Sequence, residues 1–146
     1  MKKIIFVCTG GTCRSPMAAE LLKNKLKTIG VTNINVISAG IMANELDKTN
    51  DFSILALKQF DIKAHKKNAK QLTKKLITKN TLVISMTTNQ FEYIKNIPNA
   101  HCITEFWSGG EIPDPYGLGE AAYIKTAQLL NIATGEILNK IVKGEI

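Results

Sequence analysis

The sequence predicts an α/β domain built on a parallel sheet, and three features predict it. Short apolar runs alternate with longer amphipathic segments along the 146 residues. The first run, Ile4-Ile5-Phe6-Val7, is continuous rather than alternating, as a central strand buried on both faces requires. It passes through small residues and glycines directly into a helix, at the edge where open parallel sheets hold their ligands. A chain of this length corresponds to one domain, residues 1–146, with four strands and helices on both faces of the sheet.

Each element has its own signal. The first strand runs from Lys2 to Val7, and a helix begins at Ser15-Pro16, where proline in the first turn costs no hydrogen bond. Met17, Ala18, Leu21, Leu22 and Leu26 fall on one face of that helix, and Gly30 ends it. Asn35 to Ser38 is the second strand, closed by Ala39-Gly40, and Ile41 to Thr49 forms a loop over the site. Asp51 is expected to cap a helix from Phe52 to Phe60, and Gln71 to Ile77 to form a short helix. Thr81 to Met86 is the third strand, followed by a helix capped by Thr87 or Thr88 and reaching Asn96. Pro98-Asn99 turns the chain into a fourth strand, His101 to Thr104. A Gly- and Pro-rich loop from Trp107 to Gly119 precedes a long helix from Glu120, in which Ala127, Leu130, Ile137 and Ile141 are buried candidates and Gly135 a possible break.

Composition narrows the class of function. An apolar fraction of 45% with 21% charged residues is that of an ordinary globule, which excludes a disordered chain. The N-terminal apolar run is too short for a secretory signal, and no stretch approaches the ~20 apolar residues of a membrane span. A cytoplasmic protein without membrane contact is therefore expected, with Cys8, Cys13 and Cys102 present as thiols; a monomer is expected separately, since the sequence does not name the oligomeric state. Seven lysines between Lys63 and Lys79 contribute to the formal charge of +7. They read first as a solvated face and second as a surface steering anionic or acidic partners. Nucleic acid ranks last, because no aromatics interleave with the lysines.

Chemistry concentrates between Val7 and Pro16. A loop of small residues lets successive N–H groups converge, and the helix behind it adds the positive end of its dipole, so an oxyanion fits there. A cysteine at such a loop is favoured as the thiolate, the nucleophilic form. Of the 19 basic residues, 18 are lysine and one is arginine, and that one is Arg14, six positions after Cys8. Its planar fork grips two phosphate oxygens where a lysine offers a point charge. Ser15 can donate its hydroxyl proton to the thiolate. The bland alternative is a buried strand-end cysteine with an incidental arginine.

A nucleophile that expels an alcohol, phenol or guanidine needs an acid opposite it. Asp114 is the candidate, held on a stiff loop between Pro113 and Pro115. Taken alone the stretch fits a turn-forming Asp-Pro equally well, and its pairing with the loop favours the acid. His65 and His101 are isolated from each other and from the cysteines, so neither a metal nor another cofactor is expected.

Cys8-Thr9-Gly10-Gly11-Thr12-Cys13-Arg14-Ser15-Pro16, together with Asp114-Pro115-Tyr116, resembles the low-molecular-weight protein phosphatases, a family of tyrosine and arginine phosphatases related to one class of arsenate reductases. The resemblance covers essentially the whole chain. It implies a four-stranded parallel sheet, phosphorylated protein substrates and two-step hydrolysis through a cysteinyl-phosphate, with Cys8, Arg14 and Asp114 as the catalytic set. It also implies a phosphate loop from Thr9 to Ser15, a loop-supporting network through Ser38 and His65, and Tyr116 as one wall of the substrate cleft. A cysteine at the position of Cys13 implies a possible reversible disulfide with Cys8, and a small packing residue is the alternative there. Met42 and Trp107 are candidates for the opposite wall or for packing anchors, the latter being favoured. Thr12 resembles the arginine-directed members, because a small polar residue leaves room for a guanidinium where a bulky aliphatic favours a flat phenyl ring. The family's usual asparagine is replaced by Gly11, which keeps a left-handed loop conformation accessible but removes the centre of the network. Two rival functions remain at this level. An arsenate reductase would need two further cysteines close together, where beyond Cys13 only Cys102 exists, and an anion-binding module without turnover is the other.

Overall fold

Lys3–Cys8 forms strand β1, flanked by β2 (Asn35–Gly40) on one side and β3 (Thr81–Ser85) on the other, with β4 (Ala100–Cys102) beyond β3. All three pairings are parallel. The computed structural model describes residues 3–146, so Lys2 of the expected first strand lies outside the described residues.

The unbroken apolar run of β1 is explained by its two faces. Ile4, Phe6 and Cys8 enter one cluster with Met17, Leu21 and Leu22 of helix α1 (Arg14–Thr28) and Tyr123, Leu130 and Ile137 of helix α4 (Glu120–Val142). Ile5 and Val7 enter a second cluster with Ala39, Val83, Ile94 and the partly buried Phe91 and Leu72. Each fully buried large side chain contributes about 1.5–3 kcal/mol, so both faces hold β1 in place. The loop after Cys8 therefore starts from a fixed point.

Helix α1 begins at Arg14, one residue before the expected start, and ends as Gly30 predicts. Gly30 has φ +77°, and the N–H of Val31 donates to the carbonyl of Leu26 at 2.9 Å. Helix α2 (Asp51–Leu57) is capped by Asn50, whose side chain accepts from the N–H of Phe52, rather than by Asp51 as expected. Its continuation, Lys58–Phe60, tightens to a 3₁₀ turn. The helix expected over 71–77 is reduced to a 3₁₀ turn at Lys74–Leu76. Gln71 is drawn away from it, bridging to Gly40 and bonding through its side chain to the backbone of Ala43 and Ile41.

Helix α3 (Thr88–Ile94) is capped by Thr87, one of the two expected candidates, in a full capping box with Gln90, and stops two residues short of Asn96. The fourth strand starts one residue earlier than expected and ends two residues earlier, because Ile103–Glu105 turns into a 3₁₀ segment closed by the Glu105 carboxylate on the N–H of Cys102. Gly135 does not interrupt α4. It faces Lys25 of α1 with ordinary room for a side chain, so helix packing does not require glycine there. Ile141 is only partly buried, whereas Ala127, Leu130 and Ile137 are fully buried.

Candidate active site

The loop from Thr9 to Cys13 spans the gap between the end of β1 and the start of α1. Its left-handed residue is Gly11, at φ +71°. Gly11 sits back to back with Gly40 at the end of β2, where a side chain at Gly40 would fall 2.8 Å from the Gly11 nitrogen. Three backbone bonds tie the loop to the chain after β2. The N–H of Ile41 donates to Cys8, that of Met42 to Thr9 and that of Asn50 to Thr12, each at 2.9 Å. Ser53 Oγ donates to the Cys13 carbonyl, and Gln90 Nε2 to Thr9 Oγ1 at 3.3 Å. The loop is thus held by its carbonyls, and among the described residues no protein acceptor takes the N–H of Gly10, Gly11, Thr12, Cys13 or Arg14. Peptide groups buried or half-buried in this way demand an acceptor from outside the chain.

Cys8 is buried at the start of the loop, with its Sγ 3.1 Å from Ser15 Oγ. The same hydroxyl lies 3.3 Å from the Ala39 carbonyl. Arg14 is 6% exposed, so its guanidinium is committed to the site rather than to solvent. Nη1 donates to the Ile112 carbonyl at 2.9 Å, and Nη2 lies 3.9 Å from Asp114 Oδ2. The aspartate's other oxygen accepts from the N–H of Tyr116 at 3.1 Å, which fixes the carboxylate on its loop while leaving it 58% exposed. Residues 98 positions apart in the chain are thereby joined at one place. Cys13 Sγ lies 3.4 Å from the Tyr123 hydroxyl. Burial pushes the Cys13 thiol up, against the opposing hydrogen bonds from Tyr123 and Thr12, and burial likewise raises the Tyr123 phenol.

The remaining sequence-predicted positions divide. Tyr116 stands exposed beside Asp114. Met42 is 69% exposed and lines a groove with Thr9, Arg14, Gln90 and Tyr93, in place of the packing role favoured for it. Trp107 is a packing residue, donating to the Gly110 carbonyl with its ring against Gly109. The side chains of Ser38 and His65 make no hydrogen bond among the described residues, and with Gly11 they line a cavity of about 130 Å³. Sequence reading missed Asn50, Gln90, Ile112 and Tyr93. The capping-box spacing from Thr87 to Gln90 was a legible signal for one of them, whereas a carbonyl such as that of Ile112 leaves no trace in residue type.

The family model for low molecular weight phosphotyrosine protein phosphatase matches residues 3–145. The chain belongs to this family. Among its relatives, a protein-arginine-phosphatase of Bacillus subtilis is 33% identical over 96% of this chain and 94% of its own length. A low molecular weight protein-tyrosine-phosphatase of Acinetobacter johnsonii is 30% identical over 92% and 94%. Among solved structures, a cysteine-to-serine mutant of the arginine phosphatase YwlE, with its active-site serine phosphorylated, superposes with a TM-score of 0.87. It is 31% identical and covers 97% of this phosphatase and 96% of that chain. No helix among the described residues of the phosphatase is long and apolar enough to cross a membrane, and no cluster of three metal-ligating side chains occurs among them.

Proposed function

We propose that this phosphatase hydrolyses phosphorylated protein side chains through a cysteinyl-phosphate on Cys8, with phosphoarginine preferred to phosphotyrosine. The observation that carries the reading is the set of loop N–H groups without protein acceptors, gathered between a buried thiol and a buried guanidinium. Together these complement a tetrahedral dianion.

In the first step the Cys8 thiolate attacks phosphorus in line, forming the S–P bond as the P–N or P–O bond to the side chain breaks. Arg14 keeps one N–H on Ile112 and turns its remaining donors to the equatorial oxygens, with the amides of the loop completing the cradle. Ser15 steadies the sulfur and makes it a better leaving group. Protonated Asp114 delivers its proton to the departing nitrogen or oxygen. In the second step water attacks phosphorus, gives its proton to the Asp114 carboxylate, and the S–P bond breaks to release phosphate. The positive charge these steps require comes from Arg14, the helix terminus and the amides.

Substrate preference rests on Thr12, with the arginine-directed relatives in support. Tyr116 on one side and Met42 with Tyr93 on the other would flank the side chain presented to Cys8. A disulfide relay outward, as arsenate reduction needs, finds no partner in Cys102. That residue is level with Val7 but two strands away, about 10 Å at ordinary strand spacing.

The test is hydrolysis of p-nitrophenyl phosphate beside a Cys8→Ser variant. Vanadate-sensitive release that the variant lacks is expected, and its absence overturns the enzyme. Paired phosphoarginine and phosphotyrosine peptides, repeated with Thr12→Ile, test the preference, which is expected to move toward tyrosine.

A further inference from the structure

The cavity of about 130 Å³ beside Gly11 touches the phosphate loop at that residue alone, so it is a second compartment rather than part of the cradle. Ser38 and His65 contribute polar atoms to its wall that find no partner among the described residues. Lys23 and Lys67 share one carboxylate, Glu20, at 3.3 and 3.5 Å, and Lys70 adds a third positive charge to the lining. Three cations against one anion, on a wall that also carries the half-buried Ser38 hydroxyl and the exposed His65 ring, favour a negatively charged occupant. A dry cavity of ~150 Å³ holds a benzene-sized molecule, which sets the size class.

We propose that this cavity binds a small carboxylate, of acetate or propionate size, between Ser38, His65 and Lys70, and that its occupancy is felt by the phosphate loop through Gly11. The mechanical link is direct. The Gly40 N–H donates to the Lys70 carbonyl at 2.8 Å, and Gly40 is pressed against Gly10 and Gly11. An occupant that fixes the wall at residues 65–70 therefore fixes Gly40, and with it the peptide groups of Gly11 and Thr12. Coupling of this kind is reciprocal, so a filled cavity tightens oxyanion binding in front by the same factor that a filled cradle tightens the carboxylate behind. For so few heavy atoms a Kd of about 1 mM is the expected scale.

The coupling rests on the phosphatase reading of the loop, whereas the binding site does not. Acetate is titrated into ¹⁵N-labelled protein at constant pH and ionic strength, with and without saturating vanadate. Saturable shifts of the Gly11, Ser38 and His65 amides are expected, persisting under vanadate and strengthened by it. Ala64→Leu, which fills the cavity from its half-buried wall, should abolish them, and Ser38→Ala should weaken binding several-fold. If Ala64→Leu does not fold, Ser38→Ala alone carries the comparison. The proposal is overturned by shifts that fail to saturate at roughly ten times the expected Kd, by shifts that vanadate abolishes, or by shifts that a folded variant leaves unchanged. None of these readouts needs turnover, so failure of the phosphatase reading would appear separately, as missing Cys8-dependent hydrolysis.

Discussion

The Oγ of Ser15 lies 3.1 Å from the Sγ of Cys8 and 3.3 Å from the carbonyl oxygen of Ala39. One hydroxyl proton thus faces two acceptors. While Cys8 is a thiol, its S–H donates to Ser15 and the serine donates to Ala39. Once Cys8 is a thiolate, the serine proton turns to the sulfur and Ala39 is released. Ser15→Ala removes a hydrogen bond to a charged group, worth about 1.5–3 kcal/mol, so kcat should fall by roughly 10–100-fold with little change in KM. Alkylation of Cys8 by iodoacetamide at neutral pH should slow in parallel. An unchanged alkylation rate would place the role of Ser15 elsewhere.

Asp114, 3.9 Å from Arg14, is assigned the proton for the leaving group. Asp114→Asn should reduce kcat by about 10²–10⁴-fold for an alkyl or phenyl phosphate. The loss should shrink for p-nitrophenyl phosphate, whose leaving group needs less protonation. Steady-state rates over a series of substituted phenyl phosphates measure this, and equal losses across the series would contradict the assignment.

Burial holds the folded Cys13 thiol above its ordinary value of 9.0. As pH rises past that value the unfolded chain releases a proton that the folded chain retains, so stability is full below it and is lost as pH climbs toward the folded value. Tyr123, also raised by burial, acts with the same sign at higher pH. Urea midpoints taken between about pH 8 and about pH 10 should therefore fall in the native chain. Cys13→Ser should flatten the decline. At neutral pH the Cys13 thiol, raised by its surroundings, should also resist iodoacetamide, which peptide mapping would show.

Gly40 is the most sensitive small residue at the site. A methyl group there would fall 2.7 Å from the Gly10 carbonyl carbon and 2.9 Å from its oxygen, and both are backbone atoms with no rotamer to escape into. Gly40→Ala should destabilise the fold by about 1–3 kcal/mol and weaken phosphate or vanadate binding more than the stability loss explains. Calorimetric titration with vanadate, beside the urea midpoint, separates the two effects.

Sequence alone determined what chain connectivity fixes. Cys8, Arg14 and Ser15 lie within a strand, a short loop and one helical turn, so their meeting follows from spacing, and the Pro-Asp-Pro frame of Asp114 is equally local. The strands of a two-sided sheet are legible for the same reason, since each carries its burial in its own residues. Only the tertiary structure decided which distant groups complete the site. Ile112 meets Arg14 through a carbonyl, Gln90 reaches Thr9 after capping its own helix, and Asn50 rather than Asp51 starts α2 while its N–H holds Thr12. The cavity between Gly11, Ser38 and His65 belongs to the same class. Its wall joins β2 to the loop after β1, and these meet in the register that sets Cys8 opposite Gly40, a pairing between strands that a whole helix separates in the chain.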